Sequence, residues 1–180
     1  MTKITEKKAK KILERYAPNN ETYKKVLRHS EEVKGVAIKI AKNIKGIDIN
    51  FIRTAAILHD IGRFRCPPNS RESIKHGIEG AKILRKEGLN KHALVAERHL
   101  GAGITKEDII KQKLDLPLKD YVPISNEEKI ICHADNLVFG DKEVNFKRVI
   151  ARYKKELGKK YVRRLKRLKD EIEKMEYRNK

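Results

Sequence analysis

The doublet His59-Asp60 stands at the end of an apolar run, Ile52-Arg-Thr-Ala-Ala-Ile-Leu-His-Asp-Ile-Gly-Arg63. An imidazole beside a carboxylate in such a segment is costly to bury without compensation, and a divalent metal ion is the commonest compensation. His29 lies thirty residues upstream of His59, and His76, His99 and Asp135 follow downstream, each on its own expected helix. A lone histidine on an apolar stripe is more often a hydrogen-bonded core residue than a ligand. Here four of the six histidines accumulate with two aspartates. Imidazole and carboxylate together suit first-row divalent ions (iron, manganese, zinc, nickel or cobalt) rather than calcium.

The elements that carry these residues read as helices. Apolar residues recur with a 3.6-residue period, and no segment alternates as a half-buried strand does. Helices are expected over Thr5–Tyr16, stopped by Ala17-Pro18, and over Glu21–Lys45, where Val26, His29, Val33, Val36, Ile40 and Ile44 share a stripe. Asp48 or Asn50 caps a third, which reaches Ile61-Gly62. The pair Asn69 and Glu72 resembles a capping box for a fourth helix over Arg71–Lys86, with His76 in its first turns. A fifth covers Lys91–Leu100 and ends at Gly101-Ala-Gly103, and a short one follows over Thr105–Leu114. Ser125 with Glu128 opens the helix carrying Ile130, Ile131, Ala134, Asp135 and Val138. The last helix is expected to be long and unbroken, with a stripe from Phe146 to Met175 that buries onto the core or against a second chain.

The order His29, His59-Asp60, His76, His99, Asp135, with His-Asp-Ile-Gly at 59–62, resembles the HD superfamily of metal-dependent phosphohydrolases, in its six-ligand branch holding two metals. The resemblance spans Tyr23 to Asp141. It implies an all-α fold: an HD-type metal-binding helical domain over residues 1–145, and a basic C-terminal helical extension over 146–180 packing on that domain or on a partner chain. It implies also that Asp60 bridges two ions, with His29, His59 and Asp135 on one and His76 and His99 on the other.

Catalysis is then expected to rest on Asp60 and Arg63, with a metal-activated water as nucleophile. Arg63 follows Ile-Gly where many relatives carry Lys; a cation there binds a phosphoryl oxygen and neutralises charge in the transition state, and arginine adds a planar fork. Arg65, Arg71 and Arg98 are further candidates for substrate binding, each equally readable as plain surface charge. Asn136 is a candidate either to orient Asp135 or to bond substrate. His92, on the helical face of His99, is an alternative ligand better suited to the surface, and His133 is a neighbour rather than a ligand.

No Gly-x-x-x-x-Gly-Lys loop, Gly-x-Gly-x-x-Gly turn or Gly-x-Ser-x-Gly elbow occurs, and Ser70 and Ser73 lack a nucleophile's context. The absence of Gly-Tyr-Pro downstream of the doublet argues against the cyclic-di-GMP branch. The expected substrate is a small phosphorylated compound, a nucleotide above all. The resemblance leaves open a di-iron oxygenase built on the same ligands.

A third reading is a basic module that binds nucleic acid, its metal site structural. The chain carries 44 Lys and Arg against 25 Asp and Glu, a net +19 that attracts anions. From Lys147 to Lys180 there are fifteen basic residues against five acidic. This segment is expected either to present a solvated face or to meet nucleic acid, and its apolar stripe suits a homodimer as well. Richness in Lys, Glu, Arg and Ile fits a thermophilic source. Cys66 and Cys132 form no CxxC pair, which suits a reducing cytoplasm. Neither a signal-peptide core nor an apolar run of membrane-spanning length is found.

Overall fold

Side-chain caps set most of the helix starts. Thr5, Asn19, Asp48, Thr105, Ser125 and Asn145 each accept a hydrogen bond from the backbone N–H three residues on, satisfying a donor that the helix leaves unpaired. The computed structural model describes residues 4–177, so the outermost residues of the expected 1–145 and 146–180 units lie outside the described range. Its helices are α1 (Glu6–Tyr16), α2 (Asn20–Ala41), α3 (Ile49–Leu58), α4 (His76–Lys86), α5 (Asn90–Arg98), α6 (Lys106–Gln112), α7 (Asn126–Asn136), α8 (Phe146–Glu156) and α9 (Lys159–Tyr177). A two-residue turn joins β1 (Val138–Phe139) to β2 (Lys142–Glu143), paired antiparallel with Val138 opposite Glu143. The fold is an all-α bundle. Among the described residues no helix is long and apolar enough to cross a membrane.

Helix α3 is apolar nearly all round, and this places it at the centre. Ile52, Ala55 and Ala56 face one core cluster, shared with α2, α5, α7 and α9; Ile57, Leu58 and the following Ile61 face a second, shared with α1, α2, α4 and α5. A doublet at the end of such a helix is delivered to the interior. His59 is fully buried and Asp60 is 7% exposed.

Several expectations need correcting, each for a local reason. The third helix ends at Leu58, and Ile61–Phe64 tightens into a 3-10 turn; Asp60 lies between them at φ −101°, ψ 14°, outside helical geometry. Asn69 caps nothing: it sits at φ 65°, and the chain passes through a second 3-10 turn, Ser73–Lys75, before α4 begins at His76. Val138 belongs to the hairpin, not to α7. The long final helix breaks at Leu157-Gly158, where Gly158 adopts φ 88° and both backbone N–H groups bond to the Tyr153 carbonyl. A left-handed glycine after a helix is the usual stop. It turns α9 back so that Leu168 and Ile172 join the core cluster containing α7 residues. Leu165, Leu168 and Ile172 of that stripe are buried within this chain, while Leu157 stays exposed.

Candidate metal centre

Four imidazoles converge here because a backbone carbonyl holds the far nitrogen of each ring. Nδ1 of His59 donates to Ala56 O (2.7 Å), that of His76 to Ser73 O (2.7 Å) and that of His99 to Ala96 O (2.8 Å). Each of these carbonyls lies three residues before its histidine. His29 instead uses Gly140 O at 2.6 Å, in the turn of the β1–β2 hairpin. A carbonyl can only accept, so Nδ1 carries a proton in all four rings and Nε2 is the nitrogen turned towards the centre.

Those Nε2 atoms surround two carboxylates. His29 Nε2 lies 3.0 Å from Asp135 Oδ1, and His59 Nε2 lies 3.5 Å from the same oxygen. Asp60 turns Oδ2 towards His29 (3.7 Å) and Oδ1 towards His76 (3.2 Å) and His99 (3.4 Å). His76 and His99 bring their Nε2 atoms within 3.0 Å of each other. All six expected ligands thus come together, from α2, α4, α7 and the ends of α3 and α5.

Glycines permit the closeness. A Cβ on Gly62 would lie 1.9 Å from the His76 carbonyl oxygen and 2.5 Å from Gly80 N. On Gly77 it would lie 2.7 Å from Ala96 O. The glycine of His-Asp-Ile-Gly is therefore a packing requirement: it lets α4 settle on the 3-10 turn so that His76 reaches Asp60.

Electrostatics make the cluster a trap for positive charge. Burial opposes ionisation of Asp60, but the imidazoles of His59, His76 and His99 around it hold its carboxyl well below the ordinary range. Burial likewise opposes Asp135, and the neighbouring imidazoles of His29 and His59 outweigh it, so it too is held low. His29 is disfavoured as a cation by burial, yet Asp135, then Asp60, lift it to about 9. Burial pushes His99 down. Two buried atoms, His59 Nε2 and Asp60 Oδ1, have no hydrogen-bond partner, a costly state for polar groups unless a ligand satisfies them. One ligand atom from each of His29, His59 and Asp135 falls within 4.8 Å of the others, and the same holds for His59, Asp60 and His99. Imidazoles and carboxylates gathered at this spacing fit a divalent ion.

Around this core the other expected residues divide. Arg63 reaches it: Nε lies 3.3 Å from Asp60 Oδ1, and a second nitrogen donates to Ser73 Oγ at 2.9 Å. Arg65 pairs with Glu79 (3.0 Å), and Arg98 makes two bonds to the buried Glu128 (3.0 and 3.3 Å). Arg71 is exposed. Asn136 is spent on structure: its amide donates to Gly101 O (2.5 Å) and Cys132 O (2.8 Å), and its oxygen accepts from Tyr153 (2.7 Å). His92, expected at the surface, is buried, because its ring nitrogen meets Thr54 Oγ1 at 2.9 Å and its ring meets Phe51 edge-on.

Three contributors escape sequence reasoning. Ser73 serves Arg63 through its hydroxyl and His76 through its carbonyl. Gly140 fixes His29 through a backbone oxygen. Tyr153, from α8, clasps the amide that follows Asp135 and links it to the loop that follows His99. The one trace left in the sequence is the small residue three places before each of His59, His76 and His99 (Ala56, Ser73, Ala96), which leaves the ring room to turn back onto its carbonyl.

Comparison with known proteins agrees with this geometry. The family model described as HD domain matches residues 26–140, which include all six converging residues. An uncharacterized protein of Methanocaldococcus jannaschii is 47% identical over 154 residues, covering 82% of this chain and 87% of that protein. The tRNA (cytidine(56)-2'-O)-methyltransferases of Picrophilus torridus and Thermoplasma volcanium are each 41% identical, over 148 and 131 residues. These matches take in 82% and 72% of this chain but 41% and 36% of the methyltransferases, so the chain spans well under half their length. The HD domain of the L. monocytogenes phosphodiesterase PgpH superimposes with a TM-score of 0.53 at 18% identity, over 89% of this chain and 94% of that one. That likeness is one of fold. With its family match, its close relative and its converging imidazoles and carboxylates, the chain belongs to the HD domain family.

Proposed function

We propose that this protein is a metal-dependent phosphohydrolase acting on a nucleotide or another small phosphate ester. The observation that carries the reading is the pair of imidazoles His76 and His99, whose Nε2 atoms lie 3.0 Å apart while both Nδ1 protons are committed to carbonyls. Two ring nitrogens at that distance need a shared proton or a cation against both, and a divalent ion there would also satisfy the adjoining Asp60 Oδ1, which has no hydrogen-bond partner among the described residues. In this reading His29, His59, Asp60 and Asp135 would hold one first-row ion, and Asp60, His76 and His99 would hold a second. When bound, such ions supply Lewis acidity towards phosphoryl oxygens and make water acidic enough to attack at neutral pH.

The chain does the rest. Carbonyls of Gly140, Ala56, Ser73 and Ala96 keep each ring in the ligating tautomer, a partnership that raises ligand basicity. Arg63, held by Ser73 and Asp60, offers a fixed guanidinium to the phosphoryl oxygens as charge builds on them. Burial of the cluster strengthens these interactions by excluding water.

Elemental analysis of protein purified without added metal, with a panel of nucleotides and phosphate esters, tests the proposal. Close to two ions per chain and turnover of at least one ester are expected, both abolished in Asp60→Ala. Full hydrolysis by metal-stripped Asp60→Ala protein would end it.

A further inference from the structure

We propose that the outward faces of α8 and α9 form a binding surface for the phosphate backbone of a nucleic acid. The basic residues of these helices divide by direction. Those turned inward are neutralised: Lys160 and Arg164 close on the buried Asp108 of α6 (2.9 and 2.5 Å), and Arg164 also bonds Gly103 O. Those turned outward are not, apart from Arg152 and Arg167, which pair with Glu156 and Glu171 on their own helices (both 3.1 Å). Lys147, Lys154, Lys155, Lys159, Arg163 and Lys166 are all exposed, and none has an ion-pair partner among the described residues.

Helical spacing gathers them. On α8 the exposed Lys147, Arg148, Ala151, Arg152, Lys154 and Lys155 occupy the side opposite the buried Val149, and the one acid near them, Glu156, is engaged by Arg152. On α9 the outer stripe runs Lys159, Arg163, Lys166, Arg167, Lys174, interrupted by Asp170. It is about 22 Å long at the usual helical rise, enough to face roughly six phosphates of one strand.

The arrangement is unfavourable for the isolated chain. Arg148–Arg152, Lys159–Arg163 and Arg163–Arg167 are like charges four residues apart, which destabilises a helix. Neither helix has an acidic residue in its first turn, and α9 opens on Lys159-Lys160, against its own dipole. An external polyanion relieves all of these repulsions at once. The stripe also lacks the aromatic and apolar anchors of a protein interface; Leu157 and Tyr177, the exposed large apolar residues of this region, lie outside it. Nucleic acid fits better than an acidic protein. Nothing here depends on the hydrolase reading.

Fluorescence anisotropy with the full chain, a labelled RNA hairpin and a DNA duplex of equal length tests the surface, with poly-glutamate of equal charge as competitor. About five phosphate contacts predict an affinity that falls several-hundredfold between 50 and 200 mM salt. The triple variant Lys159→Glu, Arg163→Glu, Lys166→Glu should bind at least 100-fold more weakly and lower the salt slope by about three. Its melting temperature should not fall, since a glutamate at position 159 suits the start of α9 and one at position 163 faces Arg167, and its turnover of a small phosphate ester should be unchanged, since all three residues are exposed. Preference between hairpin and duplex names the source of the backbone, and binding to either supports the surface. No binding to either at 50 mM salt, undiminished binding by the triple variant, or displacement by poly-glutamate at equal charge would overturn it.

Discussion

His92 and three of the four imidazoles of the candidate metal centre, His59, His76 and His99, are buried, yet they do opposite things. At His92 the Thr54 hydroxyl gives its proton to the Asn50 carbonyl (3.1 Å) and accepts from the imidazole (2.9 Å), so the ring is satisfied and neutral. Burial alone holds its pKa near 4. In the centre one ring nitrogen faces a carbonyl and Nε2 faces carboxylates and other imidazoles. Burial therefore does not distinguish a ligand from a core histidine. What distinguishes them is what Nε2 meets: a single hydroxyl at His92, carboxylates and further imidazoles in the centre.

Substituting one histidine from each region separates the two cases. His99→Ala should remove one of two ions and lower phosphoester turnover by on the order of 100-fold or more, comparable to removing a group that stabilises transition-state charge; undiminished metal content by elemental analysis would place His99 with His92 instead. Next in size is Gly62→Ala, whose methyl has no space against the His76 carbonyl. It should cost about 3 kcal/mol in chemical denaturation, at the upper end for overpacking, and weaken metal binding, because α4 carries His76 away from Asp60. Tyr153→Phe is smaller: losing the bond to Asn136 should reduce metal affinity roughly 10-fold, as loss of an outer partner does, with circular dichroism unchanged. His92→Leu should leave metal content intact and cost about 1–2 kcal/mol of stability, since it strips Thr54 of a buried partner.

The pH dependence of stability sharpens the contrast. His92 is depressed to about 4 from an ordinary 6.5. Below pH 6.5 the unfolded chain binds a proton that the folded chain refuses until about pH 4. The stabilising effect of the neutral ring is therefore complete above 6.5 and is lost as pH falls towards 4, at most about 3 kcal/mol. Urea titrations of wild type and His92→Leu between these limits should differ in slope by close to one proton; equal slopes would mean that His92 is not held neutral.

Much of this was legible before any fold was known. The capping residues Asp48 and Ser125 were readable because their action is local, a side chain meeting an N–H three residues away. Helix α3 was readable because an all-round apolar helix has only the interior to occupy, and it carries His59-Asp60 there with it. The break at Gly158 was misread because the apolar stripe continues through it in step, and periodicity does not register a change of axis. Arg98 and Asn136 were readable as polar residues beside expected ligands, but their neighbours Glu128 and Tyr153 come from other helices.

Sequence by itself determined which groups are available: four imidazoles and two carboxylates, on helices whose apolar stripes drive them together, and an excess of cations near the C-terminal end. Tertiary structure decided what those groups do. It brought Asp135 within 3.0 Å of His29, 106 residues away, set the Gly140 carbonyl behind the same ring, and sorted the cations of α8 and α9 into those that meet Asp108 and those that face solvent. The reason is physical: tautomer and direction are fixed by backbone carbonyls, which every residue carries alike, so their choice leaves almost no mark on the identity of the residues that supply them.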